Sequence, residues 1–360
     1  MDNYDEYKDL IENADVSKFE DDDDMEDSEF LRKSSYNKKK PEKKKKNFFI
    51  KLRDMFIPLP SDSTKEKISK IFSLICIVVF VVCVVFLSKH FYNEHRQKDL
   101  NSNLQQLHSQ VVTESLSSSS SLKPDSSSNT TMLPSFNELY KLNHEVVGWI
   151  EIPDSKVNFP VLQTKDNDFY LSHDYMKKYS ETGAIFADYR YKLTSGKMPD
   201  NTIIYGHNTL NGTFFGALHQ YKKLDYIKLH PVINFSTLYN ESKYKIFACF
   251  FANVDGAQDK GVVFDYHNRI LFNDETAFKS FYDEVMKRSY YNTDVDVKYG
   301  DELITLSTCS LEIKNARFVI VARKLRDGES PEVNTDKTVI NSDKYMPLDW
   351  YKVNKIKAPR

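Results

Sequence analysis

The sequence predicts a mainly β domain, a barrel or sandwich with added helices, preceded by a single membrane-spanning helix. Residues 71–88 form an uncharged, strongly apolar run closed by Lys70 and Lys89, long enough for a bilayer-crossing helix. Between about residues 146 and 322, short runs of branched and aromatic residues recur between turn residues, with scattered helical stretches and no strand–helix alternation. The first third holds acidic, basic and serine-rich stretches that cannot build a core. The chain's 360 residues would by length alone allow two or three domains,, and this composition reduces that number.

Residues 1–33 are acidic, with Asp21, Asp22, Asp23 and Asp24 unbroken, and read as a disordered tail,. Residues 34–70 form a basic juxtamembrane segment that includes Lys38–Lys40 and Lys43–Lys46. A basic run can bind nucleic acid, but this one leads at once into the apolar stretch, so attraction to anionic lipid is the simpler meaning and no nucleic-acid partner is expected. At 1.5 Å per residue, residues 71–88 give a helix of ~27 Å, with Lys70 and Lys89 able to snorkel at its ends. Twelve Lys or Arg lie between residues 38 and 70, and only Lys89, Arg96 and Lys98 follow closely after the span. The positive-inside rule then places the N-terminus in the cytoplasm and the C-terminal domain outside the cell. The run starts far from Met1 and no small-residue cleavage site stands out, so it reads as a signal anchor. Residues 89–134, with serine tracts around Ser117 and Ser126, read as a flexible extracellular stalk,.

The folded domain is expected over 135–326. Ser135 and Glu138 have capping-box spacing ahead of a short helix with Phe136, Leu139 and Tyr140 on one face. Residues 146–152 and 157–161 read as strands around Pro153 and Asp154. A helix is expected after Thr213, with Phe214, Phe215, Leu218 and Tyr221 as its apolar face. Residues 244–252 are strand-like. Another helix follows Asn273, where Phe278, Phe281, Tyr282 and Val285 recur at helical spacing. Residues 327–360 form a polar C-terminal extension, with Pro347 to Tyr351 as a late anchor and no assigned function.

The chemistry converges on Cys309. Leu303, Ile304, Thr305 and Leu306 make a buried strand after the turn residues Gly300 and Asp301, so Cys309 sits where a strand meets a loop. Residues 316–322 form the next strand, joined by a connection of about six residues, an ordinary length for adjacent antiparallel strands. If that hairpin closes symmetrically, Arg317 lies beside Thr308 and Cys309, whereas Arg323 lies ~20 Å further along at ~3.3 Å per residue. A second apolar strand, residues 201–205, runs into Gly206 and His207. Free cysteine, with a pKa of ~8.5, is mostly protonated at neutral pH and needs a partner. An imidazole takes that proton or donates one to a leaving amine. A guanidinium beside a thiol favours the thiolate and offers fixed donors to an oxyanion.

The remaining residues of these types are weighed against this trio. Cys76 and Cys83 lie in the apolar span, and Cys249 reads as core, although a Cys249–Cys309 disulfide is the rival for an extracellular domain. His90, His95 and His108 fall in the stalk segment. His144, His173, His219, His230 and His267 read as surface or core, with His173 beside Asp174 the strongest competitor to His207. Glu312 is a candidate to orient His207. No Cys/His pairing has zinc spacing, and neither a metal nor a cofactor is expected.

Thr305-Leu306-Ser307-Thr308-Cys309, with Arg317 on the next strand and Tyr205-Gly206-His207-Asn208 upstream, resembles the signature of the sortase family, most closely class B. The likeness extends over residues 159–175, 183–190 and 213–218 and spans roughly 135–326. It implies a closed β-barrel of about eight strands and a cysteine transpeptidase in which Cys309, His207 and Arg317 are catalytic. The implied partners are secreted proteins carrying a C-terminal sorting signal and an amine of the peptidoglycan precursor. Alternatives are a pilin-polymerising enzyme with a lysine acceptor and a non-catalytic tethered peptide-binding module.

Overall fold

A computed structural model describes residues 55–118, 131–195, 197–256 and 263–358. The acidic tail, most of the basic segment and the serine tract at 126–128 lie outside the described residues. The chain divides into two compact units, residues 1–81 and 82–360.

In the first unit, helix α1 (Thr64–Ser118) begins. Its start carries a reciprocal cap: the Ser63 backbone N–H donates to Glu66 at 2.8 Å, and the Glu66 N–H donates to Ser63 Oγ at 3.4 Å. This satisfies two of the N–H groups a helix start leaves open. The apolar part of α1 is long and apolar enough to cross a membrane, and none of it is covered by protein.

In the second unit, ten strands occur among the described residues: β1 (Val146–Glu151), β2 (Asn158–Leu162), β3 (Phe186–Ala187), β4 (Asn201–Tyr205), β5 (Val232–Thr237), β6 (Glu241–Asn253), β7 (Tyr291–Asn292), β8 (Leu303–Cys309), β9 (Ala316–Lys324) and β10 (Val339–Ile340). Eight of them close a barrel in the order β1-β2-β3-β4-β8-β9-β6-β5, and β1 pairs with β5 to complete it. Closure leaves the ladder without a free edge, which removes the exposed donors and acceptors that invite strand pairing. The expected closed β-barrel of about eight strands is therefore what forms.

Strand β9 shows why its sequence is apolar throughout instead of alternating. Phe318, Ile320 and Ala322 point into the barrel interior beside Ile150, Ile204 and Leu306. Val319 and Val321 face outward into a second cluster, where they meet Phe278, Phe281 and Val285 of α4 (Glu275–Arg288). Both faces of β9 are thus buried. Helix α4 starts at Asp274, whose side chain accepts from the Ala277 N–H at 2.8 Å,.

Several expectations change. Residues 89–118 are helical, not a flexible stalk, and the far half of α1 packs on the barrel wall. Leu104 is 1% exposed, Leu100 and Leu107 pack beside it, and His108 stacks on Trp149 with centroids 4.1 Å apart. Polar residues on the same face are paired: Gln97 donates to Asp174 at 2.9 Å, Arg96 forms an ion pair with it at 3.0 Å, and Gln105 donates to the Asn158 carbonyl at 2.8 Å. The leucine stripe, and not the polar average composition, decides the outcome, because one buried Leu contributes ~1.5–3 kcal/mol.

The Ser135–Glu138 capping box does not form. A 3₁₀ turn (Pro134–Phe136) leads into α2 (Asn137–Leu142), and neither has a side-chain cap. Ser135 lies inside the 3₁₀ turn and is buried, so Phe136 and not Ser135 takes the N-cap position of α2. The helix after Thr213 is a 3₁₀ helix (Phe215–Lys222), followed by α3 (Leu224–Leu229); Phe214, Phe215, Leu218 and Tyr221 are all buried. The C-terminal extension also takes structure: β10 pairs with β7, Met346 is buried, and Trp350 and Tyr351 of α5 (Leu348–Val353) pack against the barrel core.

Candidate active site

Strand β8 is flanked by a parallel neighbour and an antiparallel one, and the two registers assemble the site. On one side β4 runs parallel with Tyr205 paired to Ser307, and the Gly206 N–H extends the ladder by donating to the Ser307 carbonyl at 3.2 Å. Two residues beyond that pair, His207 and Cys309 leave the same end of adjacent strands. On the other side β9 runs antiparallel with Cys309 paired directly to Arg317. The three residues thus share one mouth of the barrel, while Arg323 pairs with Leu303 at the far end and is held by Glu329.

Gly206 is required by close approach. A Cβ there would overlap the Ile185 side chain and come within 2.8 Å of the Phe215 ring. The Nε2 of His207 lies 2.7 Å from the Leu171 carbonyl. A carbonyl only accepts, so Nε2 is the donor in this contact, and Nδ1 makes no hydrogen bond among the described residues,. That carbonyl belongs to a 3₁₀ turn (Phe169–Leu171) tied into the barrel wall. Asp166 caps it by accepting from the Phe169 N–H at 2.9 Å, and Asn167 donates to Asp188 at 3.1 Å. Asp188 in turn accepts from Tyr205 at 2.9 Å and from Arg190 at 2.8 and 2.7 Å. Burial works to raise the Asp188 pKa, but the hydrogen bonds from Arg190 and Tyr205 hold it below the usual carboxylate range. The loop that orients His207 is therefore fixed through a charged hub.

Cys309 is half-buried, and its carbonyl is gripped from the β4 side. Asn208 donates its side-chain amide to that oxygen at 2.9 Å, and His219 Nε2 lies 3.2 Å from it. His219 stacks on Phe318 at 4.9 Å, and burial lowers its pKa, which keeps the ring neutral. Arg317 is half-buried and donates only to the neighbouring Ala316 carbonyl at 3.3 Å, so most of its guanidinium is unengaged among the described residues.

A fourth group stands behind the thiol. Tyr266, 2% exposed, hydrogen-bonds Ser307 at 2.7 Å. Burial pushes its phenol up to about 12 against the opposing pull of the Ser307 hydrogen bond and the Arg317 cation, while Cys309 acts in the same sense as burial. The phenol therefore stays a neutral hydrogen-bonding group. Tyr266, His219 and Asn208 were missed by sequence reasoning. Asn208 could have been flagged by its place directly after His207; Tyr266 opens an isolated 3₁₀ turn (Tyr266–Asn268) with no local signal.

The other candidates fall away. Glu312 pairs with Lys222 and does not orient His207, because its place in the 310–315 loop directs it to the neighbouring 3₁₀ helix. His173 stacks on Phe169 at 4.1 Å and its Nδ1 lies 2.9 Å from the Phe169 carbonyl, a local packing role. Cys249 is fully buried, and both it and Cys309 are free thiols, so the rival disulfide does not form. Burial raises the Cys249 pKa strongly, which leaves it an inert thiol,. Beside His207 a cavity of about 800 Å³ opens between the far half of α1 and the loops that follow β1 and β4.

A family model described as the sortase domain matches residues 150–325. Sortase B of Listeria monocytogenes is 36% identical over 185 residues, 51% of this chain and 71% of that protein. Sortase B of Staphylococcus aureus is 32% identical over 195 residues, 54% of this chain and 75% of that protein. Among solved structures, a Staphylococcus aureus sortase B–substrate complex matches at TM-score 0.55 and 28% identity, covering 65% of this chain and 99% of that one. With an eight-stranded barrel of the same architecture and a thiol, imidazole and guanidinium at one of its mouths, this chain belongs to the sortase family, as a class B member.

Proposed function

We propose that this protein is a membrane-anchored cysteine transpeptidase that cleaves a C-terminal sorting signal of secreted proteins and joins them to an amine of the peptidoglycan precursor, with Cys309, His207 and Arg317 as its catalytic residues. The observation that carries the proposal is the ladder around β8, which sets Cys309 level with His207 on one flank and opposite Arg317 on the other. The apolar part of α1 is the anchor, with the N-terminus cytoplasmic and the barrel outside the cell.

The Cys309 thiol gives its proton to Nδ1 of His207, and the thiolate attacks the scissile carbonyl. Arg317 donates to the oxygen as it gains charge. When the C–N bond breaks, the departing amine takes the proton back from Nδ1, leaving a thioacyl enzyme on Cys309. An acceptor amine then forms the new amide bond, the C–S bond breaks, and the amine's proton passes to His207 as the thiolate returns. The substrate-bound structure of the Staphylococcus aureus relative supports a substrate at this same architecture.

The test uses the full chain in detergent with a panel of sorting-signal peptides, and intact-mass spectrometry to detect the adduct. The wild type is expected to gain the mass of the acyl fragment on Cys309. Cys309→Ala is expected to lose adduct and turnover together, by at least ~10³-fold. Turnover surviving in Cys309→Ala, or a peptide that binds without ever forming an adduct, overturns the proposal and leaves a peptide-binding module.

A further inference from the structure

We infer that the barrel docks on the lipid surface through two of its own loops, with Leu210 at the tip of one entering the interface and Tyr179 of the other lying at headgroup level. The inference rests on α1 being the membrane anchor and adds a second point of attachment, made by the folded domain itself.

Height along α1 is the first argument. The last apolar residues of the span belong to the second unit, and Val82, Val85, Phe86 and Leu87 are all uncovered there. At 1.5 Å per residue, His90 stands ~3 Å and Glu94 ~9 Å beyond Ser88. A bilayer carries ~5–8 Å of headgroup region on each side of its hydrocarbon core, so this stretch of helix lies in that layer or at its edge. Phe91 and Tyr92 are 56% and 69% exposed in it, the residue type and exposure of a membrane interface,. Leu210 is at the same height. It shares a cavity wall with His90, Asn93 and Glu94, and the side-chain amide of Asn211 donates to Glu94 at 3.2 Å. Tyr179 is held slightly higher, where its carbonyl accepts from Arg96 at 3.2 Å.

The build of the turn is the second. Leu210 is 94% exposed, more than any other large apolar side chain among the described residues. Its turn is nonetheless tightly bonded. The Gly212 N–H donates to the Thr209 carbonyl at 2.9 Å, Thr209 Oγ1 donates to the Thr213 carbonyl at 2.6 Å, and the Thr213 N–H donates to the Asn211 side chain at 3.1 Å. Such a turn presents the leucine on an ordered backbone, so docking fixes little more of the chain, and one buried leucine favours the docked state by about tenfold or more. Tyr179, exposed at 64%, has the amphipathic ring that settles at headgroup level,. Contacts off the α1 axis would stop the barrel rotating about that helix, and so fix the height of His207, which lies just before the turn. The height of the turn is what favours lipid over a protein partner.

The experiment places the full chain in phosphatidylcholine vesicles, with lipid brominated near the headgroup as the quencher of tryptophan emission. Leu210→Trp and Tyr179→Trp report on the two loops, and the wild type supplies the background of Trp149 and Trp350. Glu138→Trp is the distant control, in α2 beside the Phe136 that meets His108, ~30 Å beyond Ser88 along α1. The tryptophan added at 210 or 179 is expected to be quenched at least threefold more than the one at 138. Leu210→Glu combined with Tyr179→Trp is expected to halve the quenching at 179 while circular dichroism stays that of the wild type. Equal quenching at 210 and 138 overturns the inference. So does quenching at 179 that ignores Leu210→Glu, because the two loops would then not dock together. A chain that fails to float with the vesicles removes the anchor reading and this inference with it, and flotation separates that failure from the other two.

Discussion

Arg317 gives the sharpest quantitative test. Its pairing with Cys309 across β8 and β9 sets the two Cβ atoms ~5 Å apart,, and an oxyanion formed on a carbonyl attacked by Sγ lies at a similar range from the guanidinium. For unit charges ~5 Å apart at an effective dielectric of about 20, Coulomb's law gives ~3 kcal/mol, which corresponds to a slowing of ~10²-fold or slightly more. Arg317→Gln removes that charge; Arg317→Lys keeps it but loses the planar fork and recovers only part of the rate. Stability is a clean control, because the side chain's only hydrogen bond among the described residues is the 3.3 Å contact to its neighbour's carbonyl. Urea midpoints are therefore expected to move by less than ~0.5 kcal/mol. The assay is single-turnover acylation by a sorting-signal peptide, quenched and followed by intact mass. If Arg317→Gln acylates within fivefold of wild type, or Lys does no better than Gln, the electrostatic role is wrong.

Three further outcomes follow from the same geometry. Gly206→Ala drives a Cβ into Ile185 and Phe215; it is expected to cost ~1–3 kcal/mol in urea unfolding and to slow turnover by displacing His207, and a midpoint within 0.5 kcal/mol of wild type contradicts the packing argument. Asp174→Ala strands Arg96 and Gln97 on α1 and removes a carboxylate that is 1% exposed; with Arg96 itself 28% exposed, the loss is set near the low end of buried-pair values, ~3 kcal/mol,, and should appear as protease cleavage within residues 90–108. Burial holds the His219 pKa below the ordinary value of 6.5 in the folded state; the unfolded chain therefore takes up the proton first, and the stability His219 contributes is complete above about pH 6.5 and lost as pH falls beneath it. His219→Gln should flatten that part of the stability profile, and an identical slope in the variant rules the residue out as its source.

The site was legible where local pattern sets tertiary neighbours. A connection of a few residues between two apolar strands fixes a hairpin, so the Cys309–Arg317 pairing could be read directly from the sequence. The recurrence of Phe278, Phe281 and Val285 likewise marks α4. Pairing of β4 with β8 is different: Asn208 and the Cys309 carbonyl it grips are 101 residues apart, and no local periodicity encodes a parallel ladder across that distance. Two-residue strands such as β3 carry no pattern at all. The far half of α1 was misread for another reason. Leu100, Leu104 and Leu107 form a one-sided stripe at helical spacing, but the polar residues around them dominate an averaged composition, and averaging discards the phase that burial responds to.

The arrangement explains why this chemistry sits on strand ends and not on a loop cluster. Cys309 and Arg317 are paired within the ladder and His207 follows directly on its last bond at Gly206, so the backbone near each group is fixed before any substrate arrives,. Gly206 lets the chain pass close to Phe215 as its N–H extends the ladder to the Ser307 carbonyl, and Asn208 then locks the Cys309 carbonyl from the same strand end. What remains free at the thiol is rotation about its side-chain torsion between an imidazole flank and a guanidinium flank. Nucleophilic attack needs motion of that order and no more.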